Sequence, residues 1–138
     1  MIKSPFEMAS QFVGLSEING VLNNPMILAM LRLDTSWPEN DETPWCAAFM
    51  NFICHSCKTL RTKSLRARSW LAIGEAISLE DAKVGFDVVI LERGAGGHVG
   101  FYVNHNADYV RLLGGNQGNK VSIASYPRER ILGVRRLE

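Results

Sequence analysis

The chain has 138 residues and a mass of 15.4 kDa, enough for one domain with its own core. Hydrophobic residues make up 46% and charged residues 21%, which excludes disorder, collagen and coiled coil. The formal charge of +1 argues against a nucleic-acid binder, and the apolar runs, such as Pro25 to Leu31 and Val88 to Leu91, are too short to cross a membrane.

Met1 to Gln11 carries Pro5 and Glu7 where a signal peptide would place its apolar core, so no Sec signal is read. Ser4-Pro5 opens a helix to about Gly14, with Ser4 as the cap. Asn24-Pro25 repeats the device for a second helix, Pro25 to Leu33. Asp34 to Glu42 is polar, holds Pro38 and reads as a loop. Thr43-Pro44 starts a third helix. There Cys46, Met50, Ile53, Cys57 and Leu60 recur at helical spacing, which predicts a mostly buried element. Ala67 to Ile73 is a short helical segment ended by Gly74. After Lys83 the pattern turns to strands: Asp87 to Leu91, His98 to Val103, Tyr109 to Leu113, Val121 to Ala124 and Ile131 to Arg135. Gly94 to Gly97 is a flexible loop, and Asn104 to Asp108 and Gly114 to Asn119 are turns. Helices followed by antiparallel strands suggest a single α+β domain over residues 1–138. Leu137-Glu138 is open to being a cloning remnant and carries no argument.

Cys46, Cys54 and Cys57 are an odd number of thiols, which argues for synthesis in a reducing compartment. Cys46 falls in the first turn of the third helix, where free N–H groups and the helix dipole favour a thiolate. The alternative is a small buried hydrophobe in the helix stripe. A nucleophilic thiol needs a base. His98 opens a strand directly after Gly94-Ala95-Gly96-Gly97, where Gly97 and the later Gly100 leave room for a substrate. His98, Gly100 and Tyr102 share one face of that strand by alternation. A surface histidine at a loop edge is the alternative. Asn116 can return to the His98 end of the hairpin and orient the imidazole, or it can simply be a turn residue. Failing Asn116, a backbone carbonyl or Gln117 is next. His55 and His105 lie in polar settings that solvation explains.

Cys54-His55-Ser56-Cys57 has no second pair at zinc spacing and reads as core, so no metal site is expected. Glu39, Asp41 and Glu42 suit a solvated loop or a substrate amine. Arg61, Lys63, Arg66 and Arg68 suit a solvated face or an anionic envelope polymer.

Asp41-Glu42-Thr43-Pro44-Trp45-Cys46-Ala47-Ala48-Phe49, Ala67-Arg68-Ser69-Trp70-Leu71, Gly97-His98-Val99-Gly100-Phe101-Tyr102 and Leu113-Gly114-Gly115-Asn116-Gln117-Gly118-Asn119 resemble, in this order, the small cysteine peptidoglycan hydrolases of the NlpC and CHAP type. Tyr126-Pro127-Arg128 with Leu132-Gly133 adds a fifth segment. The resemblance implies a papain-like fold, with the nucleophile at the start of a helix packed on an antiparallel sheet that carries the histidine. It implies Cys46 as nucleophile, His98 as base and Asn116 near the third catalytic position, with no cofactor. Two departures stand out: Gly114 occupies the place of an acidic residue, and Val84-Gly85-Phe86-Asp87 replaces the more usual Pro-Gly-Asp.

The implied reaction is amide hydrolysis in peptidoglycan, by an endopeptidase of the stem peptide or an amidase at the lactyl group. A non-catalytic wall-binding module is the competing class. Trp45 and Trp70 are candidates to line the substrate groove, with core packing the alternative for each. The substrate partner is peptidoglycan or a muropeptide. A protein made in the cytoplasm without a Sec signal acts in the envelope after delivery by a holin, a secretion apparatus or a virion, and an immunity protein is a further candidate partner.

Overall fold

The computed structural model describes residues 4–17, 24–34 and 45–138. The acidic residues 39, 41 and 42 and the Thr43-Pro44 helix start lie outside the described residues.

Helix α1 spans Pro5–Ser10, capped by Ser4, whose side chain accepts the Glu7 N–H at 3.2 Å. It gives way to turns before Gly14, whose φ of +103° a side chain would strain, so it is shorter than expected. Helix α2 spans Pro25–Leu31, with the Asn24 side chain accepting the N–H groups of Met26 and Ile27. Helix α3 spans Cys46–Ser56 and begins at Cys46 itself, with Trp45 as N-cap. Its first two turns are buried on nearly every side, since Ala47, Ala48, Phe49 and Asn51 join Cys46 and Met50 in the interior. The expected stripe fails at its end: Leu60 lies beyond the helix and is exposed.

Asn51 explains how the chain leaves α3. Its amide donates to the carbonyls of Ala47 at 3.1 Å and Ser64 at 2.9 Å. Its oxygen accepts the N–H groups of Thr62 at 3.1 Å and Lys63 at 2.9 Å. One buried side chain thus satisfies four polar groups of an irregular segment. Ala67–Ala72 follows as a 3-10 turn with Ala67 and Trp70 buried.

Six strands form one antiparallel sheet: β1 Glu75–Ile77, β2 Asp87–Arg93, β3 Gly96–His105, β4 Tyr109–Gly114, β5 Ser122–Pro127 and β6 Ile131–Arg136. Their spatial order is β1-β6-β2-β3-β4-β5. The expected Gly94–Gly97 loop is a two-residue hairpin turn, because Arg93 pairs with Gly96 and only Gly94 and Ala95 lie between them. Strand β1 has no counterpart in the sequence reading.

The sheet is covered on both faces. Val88, Ile90, Val99 and Phe101 pack with the helices, Trp45 and Trp70. Val89, Leu91, Tyr102, Val110 and Leu112 form a second cluster with Leu79 and Val134. Buried Asp87 joins the last strand to β2: its carboxylate accepts two hydrogen bonds from Arg136, both at 2.8 Å, and the Lys83 N–H at 2.7 Å. Leu137 is buried and donates its N–H to the Phe86 carbonyl, so it belongs to the fold and is no appendage.

This architecture corrects the expected α+β, papain-like arrangement of an N-terminal helical part packed on a C-terminal sheet. The three helices hold 6, 7 and 11 residues, while the six-stranded antiparallel sheet dominates. Described segments between the helices and β1 run as turns and irregular chain held by side chains such as Asn51, so they build no helical layer. Among the described residues, no helix is long and apolar enough to cross a membrane.

Gly115 shows how tightly the sheet meets α3. A Cβ there would lie 2.7 Å from the Phe49 Cβ and 2.7 Å from the Trp45 ring. Gly115→Ala is therefore expected to destabilise the fold by about 1–3 kcal/mol, read from the urea midpoint at unchanged slope.

Candidate active site

Cys46 is the first residue of α3 and is 5% exposed. Helix α3 packs on β3, and the Val99 backbone N–H lies close enough to the Cys46 thiol to favour its charged form. The N–H groups of Ala47 and of Cys46 itself, at the start of the helix, act on the thiol in the same direction. Val99 follows His98 directly, so α3 packs against the strand that carries the histidine.

His98 is fully buried. Its Nε2 lies 2.8 Å from Gln117 Oε1. The Gln117 amide nitrogen donates to the carbonyls of Leu112 at 3.2 Å and Ser122 at 2.7 Å. Two carbonyl acceptors fix which end of the amide is nitrogen, so an acceptor oxygen faces the imidazole. Nε2 must then carry the ring proton and donate it to Gln117. The other nitrogen, Nδ1, keeps its lone pair, is buried and has no hydrogen-bond partner among the described residues. The protein has thus set one tautomer and left the basic nitrogen free.

The turn that supplies Gln117 is held from several sides. Its N–H donates to the Lys120 carbonyl at 3.0 Å, and its carbonyl accepts the Ser122 hydroxyl at 3.0 Å. Leu15 and Val121 bond each other across the turn at 2.8 Å. Gly114, which stands where the resemblance led one to expect an acid, makes the room: a Cβ there would lie 2.8 Å from Gln117 Oε1.

Asn116, expected to orient His98, is the turn residue itself, with φ at +58°. Gln117 next to it makes the contact with the imidazole. In a tight turn a shift of one residue redirects the side chain entirely. Glutamine is the residue in Gly114–Asn119 with least turn preference, and that was the available signal.

The other expected site residues serve packing. Trp45 is fully buried and donates its indole N–H to Glu17 at 2.9 Å. Trp70 is also fully buried. Neither lines a groove. The space above Gly97 is taken by the Arg68 side chain, 3.1 Å from a built Cβ, and that above Gly100 by Leu112 at 3.0 Å. Cys54 is fully buried, with its thiol pushed up by desolvation, while His55 is exposed. Among the described residues no group of three or more His, Cys, Asp or Glu could hold a metal ion. The basic run is divided: Arg61 pairs with Asp34 at 2.8 Å, and Arg68 donates to the Gly96 carbonyl at 2.9 Å.

Tyr126 was not foreseen as a site residue. Its ring lies 5.2 Å from the His98 ring and its hydroxyl 3.3 Å from Nε2. Burial pushes its phenol up, so it stays protonated. Arg130 stacks over it at 5.9 Å, and the charges of Arg93 and Arg130 oppose that rise.

Burial pushes the Cys46 thiol up, and the Val99 N–H, Arg93 and the helix-start N–H groups pull the other way. Burial lowers His98 to about 4, opposed by Gln117 and reinforced by Arg93 and Arg130. Both shifts favour the neutral forms, a thiol and an imidazole. An unfolded histidine titrates near 6.5, so between that value and about 4 the unfolded chain holds a proton that the folded chain refuses. Folding stability then falls as pH falls through this window. The expected contribution is about 2 kcal/mol lost between pH 6.5 and 5. Urea unfolding of the wild type against His98→Gln at both pH values checks it: a His98→Gln variant with the same acid sensitivity overturns the assignment.

No family model matches the chain, and no curated protein matches it in sequence.

Proposed function

We propose that the protein is a cysteine hydrolase of amide bonds, with Cys46 as nucleophile and His98 as base, acting on the stem peptide of peptidoglycan. The observation that carries the reading is the His98 tautomer, with Nε2–H on Gln117 and a buried Nδ1 that has no partner among the described residues, on the strand against which α3 packs.

In this reading Nδ1 takes the thiol proton as Sγ attacks the amide carbonyl carbon. The tetrahedral oxyanion is met by N–H groups at the start of α3, that of Cys46 first. The imidazolium then gives its proton to the leaving amine, and a thioester remains. Water loses a proton to Nδ1 and adds to the thioester, and collapse releases a carboxylic acid and regenerates the thiol. Gln117 holds the ring throughout and accepts the Nε2–H when both nitrogens are protonated. The thiol–imidazole hydrogen bond is unmade in the free protein and forms as substrate binds, as is common for catalytic contacts.

The substrate class rests on the resemblance of the Cys46, Trp70, His98 and Asn116 segments to the NlpC and CHAP-type wall hydrolases. The partner is then peptidoglycan or a muropeptide, reached by way of a holin, a secretion apparatus or a virion. Mass spectrometry of purified peptidoglycan after digestion tests it. A new amine within the stem peptide marks an endopeptidase, the expected result. A freed lactyl carboxyl marks an amidase on the same chemistry. An undigested wall overturns the substrate class.

A further inference from the structure

Arg93 ends β2 and Arg130 lies in the 3-10 turn Arg128–Arg130 before β6. The two come together around Tyr126. Arg130 sits 5.9 Å above its ring, and Arg93, paired with Gly96 at the end of β2, lies close enough for its charge to act on the phenol. Tyr126 in turn touches the imidazole. Arg130 is tied down by its Nε, which donates to the Glu92 carbonyl at 3.1 Å. Glu92 and Glu129 flank the two arginines in sequence, yet the ion pairs among the described residues are Arg61–Asp34, Arg128–Glu80 and Arg136–Asp87. Arg130 thus lies over the ring and Arg93 acts on the same phenol and on the Cys46 thiol, and among the described residues no carboxylate pairs with either. Like charges so placed repel, and both also oppose protonation of His98.

We propose that Arg93 and Arg130 form a carboxylate subsite beside Cys46 and His98, which selects a peptide carrying a free carboxylate next to the scissile amide. The planar fork of arginine matches a carboxylate with two hydrogen bonds, and a carboxamide keeps the shape but loses the charge. The bound carboxylate also relieves the field that resists the imidazolium, so the correct substrate assists the base. This inference rests on the thiol-hydrolase reading above, and its test separates the two.

The test is alkylation of Cys46 by iodoacetate and by iodoacetamide, which differ in that one charge, followed by peptide mass spectrometry. The iodoacetate-to-iodoacetamide rate ratio at Cys46 is expected to exceed that of free cysteine by about 10-fold or more, the range of a charge-assisted hydrogen bond. Arg93→Gln/Arg130→Gln should return the ratio to that of free cysteine, while Arg93→Lys/Arg130→Lys, which keeps the charge, should leave it raised. A wild-type ratio equal to that of free cysteine overturns the subsite. So does a raised ratio that survives the glutamine pair. In both cases the nucleophile reading stands, provided Cys46 is alkylated ahead of Cys54 and Cys57. If it is not, the hydrolase reading itself fails.

Discussion

Cys46→Ala is expected to reduce amide hydrolysis on the order of 10⁶-fold in kcat, the loss seen when a nucleophile is removed from residues that act as a unit. The fold should survive. The side chain is small, and deleting one sulfur from a site 5% exposed costs on the order of 1 kcal/mol. The remaining N–H groups at the start of α3 still bind substrate, so KM should move little. The measurement is muropeptide release alongside a thermal melt. A folded Cys46→Ala retaining more than about a tenth of wild-type activity refutes the nucleophile, because no other thiol approaches His98: Cys54 is fully buried inside α3 and Cys57 caps its far end.

Gln117→Leu is expected to lower kcat by about 10- to 10⁴-fold with little change in KM, since nucleophile and base remain but the tautomer is no longer set. Without the Oε1 acceptor, the ring proton is free to move to Nδ1, and the proposed base loses its lone pair. The variant also strands the carbonyls of Leu112 and Ser122, each at a cost of about 1–3 kcal/mol. Kinetics must therefore be measured below its melting transition. Asn116→Gly is the matching comparison. Its φ of +58° suits glycine, so the turn is kept and activity should remain near wild type. Loss of kcat in a folded Asn116→Gly, with Gln117→Leu active, would reverse the assignment.

The candidate chemistry was legible in the sequence where it depends on chain-local rules. A cysteine at a helix start and a histidine at a strand start follow from period and punctuation, and both elements form. What was not legible depends on which side of the chain a group faces. Asn116 and Gln117 differ by one position, yet one turns the backbone while the other reaches the imidazole. The room at Gly97 and Gly100 was read as space for substrate, whereas Arg68 and Leu112 fill it. Composition gives no means of telling a glycine that admits a ligand from one that admits a neighbour. Trp45 and Trp70 pose the same problem, settled only by burial. The helical period before residue 85 suggested a substantial helical part, but strand β1 and the Asn51-braced segment occupy much of that stretch. Their contacts lie far apart in sequence, where periodicity has no reach.

The position of β6 between β1 and β2 has a consequence for how the molecule assembles. The last strand to be made is an interior strand. Until residues 131–136 arrive, β2 presents an open edge and β1 has no pairing at all. The hairpins β2–β3 and β3–β4 can close early, being local. The sheet cannot, because its completion waits on the β1–β6 and β2–β6 pairings, which join residues far apart in the chain. Folding should therefore be governed by nonlocal pairing and run in milliseconds to seconds. A nascent chain halted before β6 carries Cys46, His98 and Gln117 but lacks the strand that clamps β2. Synthesis of residues 131–136 thus sets when the sheet that carries the candidate site can close.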